Sequence, residues 1–171
     1  MKSIFFTSLF LVSLQIAVAQ SPYVSMPDPQ NPKEHILDGI ITKYALINDS
    51  TYQWYGSSQG IYNPATEYKT TLTAAAANNV KLVVFGGTWC PDTQFILPKF
   101  FKLQEQSNFP DQAISFFAVD RNKKVIGGIA DAFRITNVPT IIVMKDGKEV
   151  GRVVEYGKTG QWDKELIELL K

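Results

Sequence analysis

Cysteine is nearly absent from this 171-residue chain, Cys90 being the only one. A single thiol excludes an intramolecular disulfide framework and a multi-cysteine zinc site, so any thiol chemistry has to run between molecules. Histidine is equally scarce: His35 stands alone, ahead of the first expected helix, where an exposed or capping role suits it better than a Cys–His hydrolase. Net charge is almost lacking as well. The 17 Lys and Arg offset 16 Asp and Glu to a formal +1, which leaves no long-range field to gather nucleic acid or an anionic membrane. Nothing in this inventory calls for a metal or another cofactor. Internal repeats and low-complexity tracts are missing too. What is present, 45% hydrophobic and 19% charged residues, is the composition of one ordinary globular domain.

The first residues stand apart from that domain. Lys2 supplies a basic start, Ile4 to Val18 is mostly apolar, and Ala17-Val18-Ala19 is an A-x-A cleavage pattern, the three parts of a secretory signal. Residues 1–19 are therefore expected to be removed. Ser3, Thr7, Ser8, Ser13 and Gln15 interrupt the stretch, which argues against a stable membrane anchor. No cysteine follows the cleavage site, so lipid attachment there is excluded. The expected product is exported and free, periplasmic or secreted. A domain of that size buries about 68–70% of its unfolded surface, enough to stand without disulfides.

Four prolines within residues 20–32 suggest an extended linker without internal hydrogen bonds. Residues 33–63 read as a helical extension followed by an aromatic loop. In it, Ile36, Leu37, Ile40, Ile41, Tyr44 and Leu46 fall at amphipathic-helix spacing from Lys33 to about Asn48. Tyr52, Trp54, Tyr55 and Tyr62 follow; core packing suits them better than roofing a groove. Residues 64–171 alternate more regularly. Pro64 and Asn78-Asn79 bracket a helix containing Ala74 to Ala77, and Val80 to Gly86 is a short apolar strand. A helix follows from Pro91 to Gln106, with Pro98 inside it. Ala113 to Val119 predicts a strand, Val125 to Arg134 a helix, and Thr140 to Met144 a strand. Asp146-Gly147 predicts a tight turn into Glu149 to Val154, and Trp162 to Leu170 a closing amphipathic helix. The pattern is α/β: a mixed central sheet with helices on both faces.

Cys90 falls where a strand passes into a helix. Backbone N–H groups of the first helical turn point toward a sulfur placed there, and this setting favours thiolate. Thr93, three residues on, is positioned to donate to the same sulfur, while Asp92 brings a negative charge near it. Taken jointly, Trp89-Cys90-Pro91-Asp92-Thr93 after an apolar strand, Pro98 in the ensuing helix and Val138-Pro139-Thr140 opening a later strand resemble the thioredoxin superfamily. The resemblance covers about Pro64 to Lys171. It implies a thioredoxin-like fold, a nucleophilic Cys90 shielded by Trp89, and a cis-proline at Pro139. With Val138 and Pro91, Pro139 would shape a surface on which substrate docks.

The chain departs from the family pattern at two places. Cys-x-x-Cys becomes Cys90-Pro91-Asp92-Thr93, and the acidic residue usual six positions before the nucleophile is Val84. Without a second thiol, a mixed disulfide must be released from outside. The reading is thus a monothiol thiol–disulfide oxidoreductase, a reductase or isomerase serving redox homeostasis. Its partners would be protein or small-molecule thiols and disulfides with an external resolving thiol, and a homodimer through Cys90 is open to it. The alternative is a redox-inactive thioredoxin-fold module that binds peptides. A peroxidase reading fails because Gly87 stands where thioredoxin-fold peroxidases carry threonine.

Overall fold

A computed structural model describes residues 21–171 of the chain; the expected signal segment lies outside them. Six strands form one sheet: β1 (Tyr23–Pro27), β2 (His35–Ile41), β3 (Val80–Gly86), β4 (Ile114–Ala118), β5 (Thr140–Lys145) and β6 (Lys148–Val154). Their order across the sheet is β1-β2-β4-β3-β5-β6. β3 and β4 run parallel, and every other neighbouring pair is antiparallel. The mixed sheet expected from the sequence is therefore present. Helices α1 (Lys43–Ile47), α2 (Trp54–Gly60), α3 (Thr66–Ala77), α4 (Pro91–Gln106), α5 (Ile129–Ala132) and α6 (Trp162–Leu169) cover its faces.

β3 is central because nearly all of it is apolar and buried, with Leu82, Val84 and Phe85 fully enclosed. Its side chains alternate between two cores. On one face Leu82 and Val84 join Leu72, Ile96, Phe100, Leu103 and Leu166. On the other, Val83 and Phe85 meet Cys90, Val119, Ala130, Val138 and Ile142. Tyr52 and Tyr55 are buried in the first core, the packing role expected of the aromatic segment. The Asp-Gly turn joins β5 to β6 with φ of 51° at Asp146 and 75° at Gly147, positive at both positions as a two-residue hairpin loop of this kind requires.

Three expectations are corrected. The helix from Lys33 to Asn48 is instead β2 followed by the short α1. Ile36, Leu37, Ile40 and Ile41 satisfy helical spacing, yet Gly39 takes φ +132°, and a Cβ there would lie 2.6 Å from the Tyr23 Cα. That close approach lets β1 cross beside β2, and Ile40 N–H donates to the Pro22 carbonyl at 2.9 Å. The proline-rich linker is likewise not free chain: Tyr23–Pro27 pairs with β2 from Tyr23 opposite Gly39 to Pro27 opposite His35. Proline is tolerated because β1 is an edge strand. Finally, the helix expected from Val125 to Arg134 shrinks to a 3-10 turn at Ile126–Gly128 and α5. Gly127 and Gly128, at φ 77° and 68°, break it.

Candidate active site around Cys90

The carboxyl end of β3 delivers the chain into the site through two glycines with no room for a side chain. A Cβ at Gly86 would meet Leu97 Cδ1 at 2.6 Å, and one at Gly87 would lie 2.5 to 2.9 Å from the Trp89 indole. The loop then closes on itself: Cys90 N–H donates to the Gly87 carbonyl at 2.9 Å. Cys90 has extended backbone (φ −91°, ψ 123°) and is the N-cap residue of α4, with Pro91 in the first turn. Pro91 fits there because its missing N–H has no partner to lose.

Cys90 is 8% exposed. Its thiol donates to the Val138 carbonyl at 3.2 Å, across 48 positions of sequence. The following Val138–Pro139 peptide is cis. Val138 and Pro139 are themselves buried, so what they offer at this point is backbone and shape rather than exposed side chain. Pro91 is exposed beside them at the start of α4.

Thr93 is 1% exposed. The hydroxyl expected to donate to the sulfur accepts the Gly87 N–H at 3.2 Å, so its hydrogen bond braces the loop rather than the thiol. Gln94 adds a second brace, its side-chain amide donating to the Thr88 carbonyl at 2.8 Å. Trp89 packs against the core cluster that contains Cys90, and its indole N–H donates to the Val119 carbonyl at 3.0 Å. Val84 is fully buried on the opposite face of β3 among apolar neighbours, and no carboxylate replaces it in that cluster.

The structure adds residues that the sequence does not single out. The Phe95 and Tyr156 rings meet tilted at 44° with centroids 5.8 Å apart, and both are substantially exposed. Burial, then the nearby Asp92, pushes the Tyr156 phenol up, and Cys90 is among its neighbours. On the other side, the Arg121 guanidinium lies 5.1 Å from the Trp89 ring centroid. Arg121 also grips Asp28 through two hydrogen bonds of 2.5 and 2.6 Å. Nothing in the sequence singles out Arg121, and Asp28 falls within the expected linker. His35 lies exposed at the start of β2. Among the described residues, no three His, Cys, Asp or Glu side chains converge as a metal would need.

The family model described as Thioredoxin matches residues 61–168. Thioredoxin-1 of Saccharomyces cerevisiae is 32% identical over 92 residues, covering 52% of this chain and 84% of its own. A thioredoxin of Chlamydia pneumoniae is 32% identical over 91 residues, covering 53% of this chain and 78% of its own. The solved structure of mitochondrial thioredoxin 3 from S. cerevisiae, in oxidised form, spans 65% of this chain and 97% of its own at 21% identity, with a TM-score of 0.39.

Proposed function

From the premise that this chain belongs to the thioredoxin family and has its α/β fold, we propose that it is an exported monothiol thiol–disulfide oxidoreductase acting through Cys90. The observation that carries the reading is that the chain's only thiol sits on the N-cap residue of α4, within hydrogen-bond distance of the Val138 carbonyl and beside the cis-proline. Thr93 stands three residues on, where a second thiol would be needed for internal release.

The reaction balances without a cofactor. Cys90 as thiolate attacks one sulfur of a substrate disulfide; a Cys90–substrate disulfide forms, the substrate S–S bond breaks, and the second substrate sulfur leaves as thiolate. An external thiolate then attacks the substrate sulfur of the mixed disulfide; that bond breaks, Cys90 leaves as thiolate, and a second external thiol reduces the substrate–thiol disulfide so formed. Where a different thiol of the substrate makes that attack, a new substrate disulfide forms and the net result is isomerisation. Trp89 shields the sulfur, and the helix N-terminus presents N–H groups to its charge. The Val138–Pro139 strip, with Pro91 and the exposed Phe95–Tyr156 pair, gives an extended segment a place to lie.

Reduction of insulin disulfides with glutathione as the resolving thiol tests this. The mature protein turns over and Cys90→Ser does not; equal rates in both contradict the reading. One observation favours a second reading: the thiol is enclosed and occupied with a carbonyl, which suits a redox-inactive module that binds peptides. Peptide binding that persists in Cys90→Ala, with no turnover in the parent, selects it. Export is tested by fractionation, with removal of residues 1–19 read from the mass of the released protein. Nonreducing electrophoresis decides the Cys90 homodimer.

A further inference from the structure

We infer that Arg121, locked by the buried Asp28, is a positioning residue that holds the Trp89 indole beside the Cys90 sulfur, so that the N-terminal arm completes the thiol site. The inference rests on Cys90 being the reacting thiol.

Asp28 is the fixed end of the clasp. Its side chain is 1% exposed, and it sits in a tight turn between β1 and β2. There its carboxylate accepts the Gln30 N–H at 2.9 Å, and its backbone N–H donates to the Glu34 carbonyl at 2.8 Å. The Arg121 guanidinium, hydrogen-bonded to the carboxylate, holds the Asp28 carboxyl down to about 2 despite its burial. A fork of two N–H donors on one carboxylate fixes the plane of the guanidinium as well as its place. The centre of that guanidinium lies over the indole, 5.1 Å from its centroid.

The far end is equally constrained. Arg121 follows Asp120, whose carboxylate accepts the Asn122 and Lys124 N–H groups at 2.8 Å each and so ties the loop. The indole held beneath Arg121 has only limited freedom left: its N–H is on the Val119 carbonyl and its ring rests on Gly87. A second thread runs from the same arm to the same loop, where Leu37 N–H donates to the Thr88 hydroxyl at 3.3 Å within the buried interior. Asp28 and Leu37 both lie outside residues 61–168, the part that matches the family. The arm is therefore a built addition to the site and not a leader to it.

Native-state labelling of Cys90 with two reagents, iodoacetamide and a bulky maleimide, tests the clasp, because the ratio of their rates reports access past the indole. Unfolding would remove the same barrier and move the ratio to that of the unfolded chain, so labelling is carried out on variants shown to be folded by circular dichroism, with the ratio in urea marking the unhindered value. Asp28→Asn and Arg121→Gln should each raise the maleimide rate relative to that of iodoacetamide. The double variant should go no further than either single one, because the two residues act as a unit. Arg121→Lys should behave like Arg121→Gln, since an ammonium cannot make the fork; it also asks the question without altering Asp28, should Asp28→Asn fold poorly. An unchanged ratio in these variants overturns the clasp. So does an effect in Arg121→Gln that is absent from Asp28→Asn and Arg121→Lys, which would assign it to charge alone. No disulfide substrate enters the measurement, so a protein inert towards insulin still decides it.

Discussion

Thr93 shows how one side chain sets both the chemistry and the local structure. Its hydroxyl is buried on the Gly87 N–H, so Thr93→Val should leave that donor unpaired and cost about 1–3 kcal/mol of stability, read by urea unfolding. Thr93→Cys should do something different: it places a second thiol one helical turn from Cys90, so a single round of insulin reduction should proceed without glutathione and leave an internal disulfide, while further turnover still draws on an external reductant. Asp38 offers a test of opposite sign. Its Oδ1 is buried with no partner among the described residues, and burial, reinforced by Asp120, raises its carboxyl above the usual range. A raised carboxyl destabilises the fold at neutral pH; the penalty fades as pH falls through the raised folded value and is gone below the unfolded one. Asp38→Asn is therefore expected to stabilise the protein by about 1 kcal/mol at pH 7 and to gain little on acidification to pH 4, as a urea series at the two pH values would show. Cys90, Trp89 and Pro139 were legible because each belongs to a local pattern. The Asp28–Arg121 pair was not, since it joins positions 93 apart in sequence and neither partner has a distinctive local context.

The elements divide by how far apart their determinants lie. β3 and α4 were predicted at their observed bounds, because an unbroken apolar run and a proline-led helix carry their own signals. β2 was misread, because Ile36-Leu37 and Ile40-Ile41 fit a helical stripe as well as a strand buried between two neighbours. Gly39 was the available clue, since glycine within a helix costs about 1 kcal/mol relative to alanine and here it admits Tyr23. Gly39→Ala should accordingly destabilise the protein by about 1–3 kcal/mol through backbone strain alone, and more through the overlap with Tyr23. Urea unfolding measures it; a loss below that range would mean that the β1–β2 crossing is looser than described. The helix expected after Val125 failed for the complementary reason. Two consecutive glycines at positive φ end a helix that the apolar residues around them would otherwise support.

For the molecule as a whole, the arm and the family domain form one structure. The Lys43 side chain, 6% exposed, bridges Glu105 at 3.0 Å and Asp111 at 3.2 Å and donates to Gln104 at 2.8 Å, tying α1 to the end of α4. Asp28 does the same at the thiol end. Its folded value of about 2 lies below the ordinary carboxylate value of about 3.9. The stabilisation is thus complete above the higher value and lost as pH falls through the lower one. Asp28→Asn should lower stability by about 2 kcal/mol at pH 7, the scale of hydrogen bonds to charged groups, and should flatten the loss between pH 4 and pH 2 in acid unfolding followed by circular dichroism.

The central claim is that the single thiol exchanges with disulfides and is released from outside. Intact-mass analysis of the native mature protein, incubated with a small disulfide and then with glutathione, tests it most directly. The account predicts one mixed-disulfide adduct per chain, located on Cys90, that forms in the folded protein and is removed by glutathione with Cys90 regenerated. An unmodified native chain, with an adduct appearing only after unfolding, would contradict it and leave the fold with a binding role.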